Sequence, residues 1–212
     1  MDLRIELNFS SDLDEGVFAD IVEGLSAGGA KVAVKRRPPE GPYASLEWLI
    51  PTAVIVFLGP YLAEFSKETG KLHANALHGG LAKLYRKVLG PEPEITCTII
   101  GTPGKAGTKV FSAAVSVRMA RNDGGQAVLL FPTVTSSEDF SLAVDLFTEL
   151  MSEHYALNGA DPLTRAMALI PYLNSPQYQV LVYMNPEAKE LELIDYVESS
   201  RSRKLTTRRI RG

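Results

Sequence analysis

The run from Trp48 to Leu62, Trp-Leu-Ile-Pro-Thr-Ala-Val-Ile-Val-Phe-Leu-Gly-Pro-Tyr-Leu, is the most apolar stretch of the chain and constrains its fold most tightly. Thr52 to Leu58 is β-branched and aromatic, is bounded by Pro51 and by Gly59-Pro60, and is too short for a membrane helix. Such a run reads as a fully buried central strand of a parallel sheet. Gly59 can end it tightly, and Pro60 is pre-set for the first turn of a helix. The pattern therefore predicts a buried strand whose carboxyl end passes straight into a helix. In open α/β sheets that edge is where sites are built.

The flanking sequence extends this pattern. Leu3 to Phe9 alternates apolar and polar and reads as a strand. Ser11 stands three residues before Asp14, as in a capping box, and Phe18, Ile21, Val22 and Leu25 follow at helical spacing. Gly28-Gly29 closes that helix, and Lys31 to Lys35 forms a second strand, giving a parallel β-α-β unit. Arg36 to Pro51 reads as a loop, with three prolines before position 43 and a helical turn at most near Ala44 to Leu49. After Pro60 a long helical pattern runs to Val88, weakened at Gly70 and Gly79-Gly80, and Gly90-Pro91 ends it.

The second half reads differently. Strands are expected at Glu94 to Ile100, Val110 to Met119 and Gln126 to Phe131, the last two joined by an Asn122-Asp-Gly-Gly125 hairpin turn. Ser136 caps a helix with an apolar stripe at Ala143, Leu146, Phe147, Leu150 and Met151. Asp161-Pro162 is an N-cap and N1 proline, and Pro171 stops the helix they start. Tyr178 to Tyr183 and Leu191 to Tyr196 form a last pair of strands that turns at Asn185-Pro186. The expected fold class is α/β, with a flavodoxin-like parallel core over residues 1–90 and an α+β extension over 91–200 that belongs either to the same sheet or to a second domain. Residues 201–212 follow as a basic tail.

That tail hides a charge asymmetry. The net charge is −3, yet six of the 22 basic residues (Arg201, Arg203, Lys204, Arg208, Arg209 and Arg211) lie in 201–212 with no acid among them. The rest of the chain carries 16 basic against 25 acidic residues, a net of −9. A solvated terminus is the plain expectation. Nucleic acid, anionic lipid, or folding back on the acidic body are the alternatives. The single cysteine, Cys97, can form no intrachain disulfide, and the charged, strand-like N-terminus reads as no secretory leader. No run reaches membrane-spanning length, so the cytoplasm is the expected compartment.

Few motifs carry chemistry. Gly101 to Lys109 resembles a phosphate loop, but Ala106 stands where that loop needs glycine and a strand rather than a helix follows. His73, His78 and His154 have neither the spacing nor the cysteine neighbours of a metal site, so they read as structural or surface histidines and no metal is expected. Glu64 and Glu68, four apart on the helix after the buried strand, are the more informative pair. A carboxylate there can reach over the sheet edge toward a ribose or a developing oxocarbenium ion. The plain alternative is a solvated helix face on which Lys67 and Lys71 neighbour the two acids.

On these residues the first 100 positions resemble a Toll/interleukin-1 receptor-like (TIR-like) domain. Asn8-Phe-Ser-Ser-Asp12 after the first strand, the helix and glycine turn through Val34, the proline-rich loop Arg36 to Tyr43, and Ala53 to Leu62 match that family's pattern in order. The resemblance implies either an assembly module in signalling, of the kind found in prokaryotic defence or stress systems, or an enzyme that cleaves the glycosidic bond of NAD. The enzyme reading makes Glu68, or else Glu64, the catalytic carboxylate. Phe9 and Trp48 would stack on nicotinamide, and Ser10 and Ser11 would donate to ribose or phosphate. Phe65-Ser66 stands where the family often has tryptophan-cysteine, and Glu68 lies about two residues closer to the tyrosine than is usual. The assembly module is the preferred reading, with self-association or a protein partner, no resident cofactor, and NAD only as a substrate if the chain is an enzyme. A nucleic-acid-associated protein using the tail is the third.

Overall fold

A computed structural model of the chain describes residues 4–10, 15–27, 31–37, 53–58, 79–93, 110–157 and 159–211. Among the described residues, eight strands form one sheet: β1 (Arg4–Ser10), β2 (Lys31–Arg37), β3 (Ala53–Leu58), β4 (Phe111–Ala120), β5 (Gln126–Pro132), β6 (Val180–Asn185), β7 (Glu190–Ile194) and β8 (Thr207–Arg209). The helices are α1 (Ala19–Ala27), α2 (described over residues 79–88), α3 (Ser137–Leu157), α4 (Pro162–Ala168) and α5 (Tyr196–Ser202).

The spatial order is β2-β1-β3-β4-β5-β6-β7-β8. Strands pair in parallel within β1/β2, β3/β4 and β5/β6, and antiparallel at β1/β3, β4/β5, β6/β7 and β7/β8. The chain thus lays three β-α-β units side by side, each running against its neighbour, and finishes with an antiparallel pair. The first five strands keep the 2-1-3-4-5 order of a flavodoxin-like sheet. Their polarity corrects the expected parallel core, because β3 and β4 run opposite to β1 and β2. The cause lies in the β2–β3 connection. β2 ends at Arg37 and β3 begins at Ala53, which is in register with Phe9, so the chain re-enters the sheet at the edge it left. A parallel return needs a crossover, usually a helix, to carry the chain back along the strands. The sequence of that segment, with three prolines and at most one helical turn, reads as a loop rather than as such a helix.

One core lies between the helices and a single face of the sheet. It joins Phe18 of the 3-10 turn Glu15–Phe18, Ile21 and Leu25 of α1, Leu81, Leu84 and Val88 of α2, and Phe140, Phe147 and Leu150 of α3 to Val117, Leu129, Val182 and Leu193 of the strands. α1 and α2 meet where Gly24 faces Gly80, and a Cβ on Gly80 would stand 2.6 Å from Leu25 Cδ2. The Gly79-Gly80 pair expected to weaken a helix instead lets two helices approach. The other face of β5 and β6 is buried too, by Val128, Leu130, Leu181 and Tyr183 with Phe111 and Ile194. Among the described residues, these two strands show the two-sided burial expected of residues 52–58. β3 occupies an interior position between β1 and β4, and its side chains lie outside the description.

Most local signals in the second half find their elements. The hairpin turn places Gly124 at φ 84°. The Ser136 hydroxyl accepts from the Asp139 N–H at 3.0 Å, and Asp161 caps α4 through the Thr164 N–H at 3.0 Å with Pro162 at the first turn. Pro171 opens a 3-10 turn, Pro171–Asn174, rather than only ending a helix, and Tyr196 begins α5 rather than ending β7. The strand expected at 94–100 lies outside the described residues.

The C-terminus corrects the expectation of a solvated tail. Residues 196–202 form α5, Arg203 turns left-handed at φ 57°, and Thr207–Arg209 joins the sheet as β8. Ile210 is 5% exposed in the main core, and its N–H donates to Leu191 O at 3.3 Å. Arg211 reaches Glu149 and Glu153 on α3 at 3.1 and 2.8 Å, and Arg209 lies 3.7 Å from Glu190. Of the readings left open, the chain folds back on its own acidic body.

Candidate functional site

The strand polarities place different groups at the two ends of the sheet. Phe57 is in register with Met119, so β3 leaves the sheet beside the end of β4, next to Arg121 and the hairpin turn. Phe9 and Ser10 stand at the opposite end, where Phe9 is in register with Ala53 and Ser10 with Arg37. Glu64, Glu68, Ser11 and Trp48 lie outside the described residues. The described strands therefore do not bring the exit of β3, from which the glutamates follow, to the same edge as Phe9 and Ser10.

A polar centre has formed beside the β3 exit. Arg121 has a fully buried side chain that forks onto Asp123: Nε donates to Oδ1 at 2.9 Å, and Nη2 pairs with Oδ2. Its Nη1 donates to Leu173 O at 3.3 Å. Gly125 lies under the guanidinium, where a Cβ would meet Arg121 Nη2 at 2.6 Å. His154, buried near the end of α3, accepts the Asn122 N–H on Nε2 at 3.2 Å, while the Asn122 amide donates to His154 O at 2.8 Å. His154 Nδ1 lies 3.1 Å from Asp161 Oδ2, an ion-pair distance without the alignment of a hydrogen bond. Tyr155 donates to Ala120 O.

The electrostatics here are those of a lock. Burial pushes the Asp161 carboxyl up, and the Thr164 hydroxyl and N–H together with His154 outweigh it, leaving the group below the usual carboxylate range. Burial likewise raises Asp123, and the Arg121 guanidinium and the Gly125 N–H bring it below that range. A catalytic base needs a nitrogen or oxygen facing its substrate. His154 Nε2 is occupied by a main-chain N–H and Nδ1 faces a carboxylate, so this His–Asp pair staples a hairpin to two helices.

A second network ties the C-terminal strands. Glu192 accepts from Tyr183 Oη at 3.0 Å and from the Asn185 amide at 2.8 Å. Burial and the adjacent Glu192 push the Tyr183 hydroxyl up to about 12. Burial raises Glu192 in turn, and Thr207, Asn185 and Tyr183 bring it below its ordinary value. Tyr172 donates to Asp195 Oδ1 at 3.0 Å, the oxygen that also caps α5 through the Glu198 N–H. Burial pushes the Tyr172 hydroxyl far above its ordinary value.

The carboxyl end of the parallel pair β5/β6 has a different character. Thr135 Oγ1 donates to Pro132 O at 2.7 Å, and Tyr85 Oη donates to Thr135 O at 2.9 Å, fixing the turn into α3. Glu138 and Asp139 occupy the first turn of α3, and Asp139 is paired with Lys189, which holds its carboxyl below the usual range. Two acids at this helix start oppose an anionic ligand, which the helix dipole alone would favour. Between these groups the edge holds a small, shallow recess lined mainly by apolar residues, among them Pro132, Val134, Met184 and Pro186, with Thr135 and Asp139 also in its wall. Val134 is 90% exposed, and the Thr133 N–H donates at 3.1 Å to the carbonyl of Val110, itself 51% exposed.

The tail residues proposed for nucleic acid or a partner are spread over α5, its cap and β8, with Arg209 and Arg211 turned onto acids of the body. His154 fits the structural reading made from sequence, and Asp161 proves to be both cap and histidine partner. Arg121 carries no sequence signal of this role, since nothing in one arginine before a turn marks burial. No three histidine, cysteine, aspartate or glutamate side chains among the described residues gather to hold a metal ion. No helix among them is long and apolar enough to cross a membrane. No protein-family model matches the chain, and no curated protein or solved structure matches it.

Proposed function

We propose that the chain is an assembly module that acts through protein–protein contacts, in signalling of the kind found in prokaryotic defence or stress systems. The observation that carries this is the mainly apolar carboxyl end of β5/β6, where Val134 stands 90% exposed, next in sequence to Thr133, whose N–H bonds the carbonyl of half-exposed Val110, and lines a recess with Pro132, Met184 and Pro186 as well as Thr135 and Asp139. Single exposed apolar residues are ordinary, but neighbouring ones beside an apolar recess are the makings of a contact surface. The TIR-like part of the reading is supported by the parallel β1-α1-β2 unit and the 2-1-3-4-5 strand order, while the reversed β3 and β4 depart from that family's parallel core.

Sedimentation velocity over a range of concentrations tests the proposal. The wild type is expected to associate as concentration rises. Val134→Asp, an exposed change that spares the core, is expected to weaken association by about tenfold or more. A chain that stays monomeric throughout, or association indifferent to Val134→Asp, contradicts it.

A further inference from the structure

We infer that α5 is a contact between two copies of this chain, each laying this helix antiparallel against its counterpart across a two-fold axis. The inference rests on the assembly reading and names a surface and an occupant for it. None of the seven residues of α5 is buried, yet its ends are closed. Asp195 accepts the Glu198 N–H at 3.0 Å, and Arg203 turns left-handed at φ 57°. The Ser199 hydroxyl donates to Asp195 O at 2.6 Å and accepts the Thr206 N–H at 2.9 Å, which ties the helix to the chain that follows it. A short helix is thus fixed to the body by its caps, with its outer side turned to solvent.

The charges on that side specify the occupant. Glu198 and Arg201 are both exposed and stand three positions apart, which makes them neighbours on one face of the helix. Among the described residues, no ion pair joins them to each other or ties either to a third group. The end of the tail is different, because Arg209 lies by Glu190 and Arg211 by Glu149 and Glu153. Arg203 and Lys204, also exposed, extend the positive end of α5. A face with an acid toward one end and bases toward the other is self-complementary. Rotation about a two-fold axis midway between the two residues brings Glu198 of each copy to Arg201 of the other, so the pair forms twice. Packed helix axes lie about 8–10 Å apart, within reach of these two long side chains. Ser202 shares the face and turns its hydroxyl back onto Glu198 O at 2.8 Å, which keeps the face low there. A uniformly acidic or basic partner would meet one like charge for each opposite one, whereas a second copy meets none. The dipole of α5 alone would also favour an acid at its start and bases at its end, so the test must read a charge effect between molecules.

Sedimentation velocity of the full chain over a range of concentrations provides it, with Glu198→Arg, Arg201→Glu and an equimolar mixture of the two. Both side chains are exposed, so each variant should melt like the wild type. Each variant alone sets like charges against each other across the axis and is expected to associate at least about tenfold more weakly. In a mixed pair both contacts are again acid on base, and association is expected to return toward wild-type strength. Undiminished association of either single variant overturns the inference. So does a mixture that associates no better than its components, which would show the charges acting within one chain. A wild type that stays monomeric overturns both this inference and the assembly reading. If association sensitive to Val134→Asp persists undiminished in the α5 variants, the contact at α5 falls and the assembly reading stands.

Discussion

At the residue scale, buried charge among the described residues is held in a few closed constellations. Asp161 is the clearest case because one carboxylate caps α4, faces His154 and accepts from Thr164. Its carboxyl lies below the ordinary range in the folded protein, so its contribution to stability is complete above the unfolded value and is lost as pH falls through the lower native one. Asp161→Asn keeps a side-chain oxygen for the cap but removes the charge. In urea titrations the variant should be least stable relative to wild type near neutrality, and the gap should close as pH falls below about 4. A gap unchanged across that range would mean that packing rather than charge holds the site. His154→Leu should cost about 1 kcal/mol at neutral pH, because the Asn122 N–H then loses its acceptor and the buried Asp161 carboxylate its imidazole neighbour.

At the scale of elements, the C-terminal segment separates two kinds of holding force. Ile210 is inserted in the core, while Arg211 makes ion pairs across a surface where it and Glu149 are each more than half exposed. Exposed pairs contribute roughly 0–1 kcal/mol, whereas a charge placed in an apolar site cannot be solvated. Chemical denaturation should show Arg211→Ala within about 0.5 kcal/mol of wild type and Ile210→Asp weaker by about 2 kcal/mol or more. Equal effects would show that the clamp is electrostatic. Why the tail reads as solvated from sequence alone follows from the same contrast. Six basic residues dominate its composition, and the single isoleucine that anchors it is one letter. By contrast, Asn122 to Gly125, Ser136 and Asp161-Pro162 were legible because turn and cap chemistry is local. It is set by φ and by a hydrogen bond a few residues away, not by what packs above.

At the scale of the molecule, strand order was more legible than strand direction. Apolar runs mark strands, and Gln126 to Phe131 and Val180 to Met184 are as continuous as Thr52 to Leu58, as two-sided burial requires. Direction depends on the connections. The segment before Ala53, rich in proline and without a helical repeat in its sequence, fits a reversed β3, whereas the resemblance to a parallel family points the other way. The reversal bears on function, since it sends the chain toward Glu64 and Glu68 from the edge opposite Phe9 and Ser10. The described polar centres, meanwhile, turn their donors and acceptors inward, and the exposed apolar groups lie elsewhere. On the proposed assembly role, this chain works by contact rather than turnover. Release of nicotinamide from NAD tests it most directly, measured on purified protein across the concentrations at which it associates, with Glu68→Ala alongside. The claim predicts no release above the uncatalysed background for either protein. Release by the wild type that disappears in Glu68→Ala would contradict it and establish the chain as an NAD-cleaving enzyme.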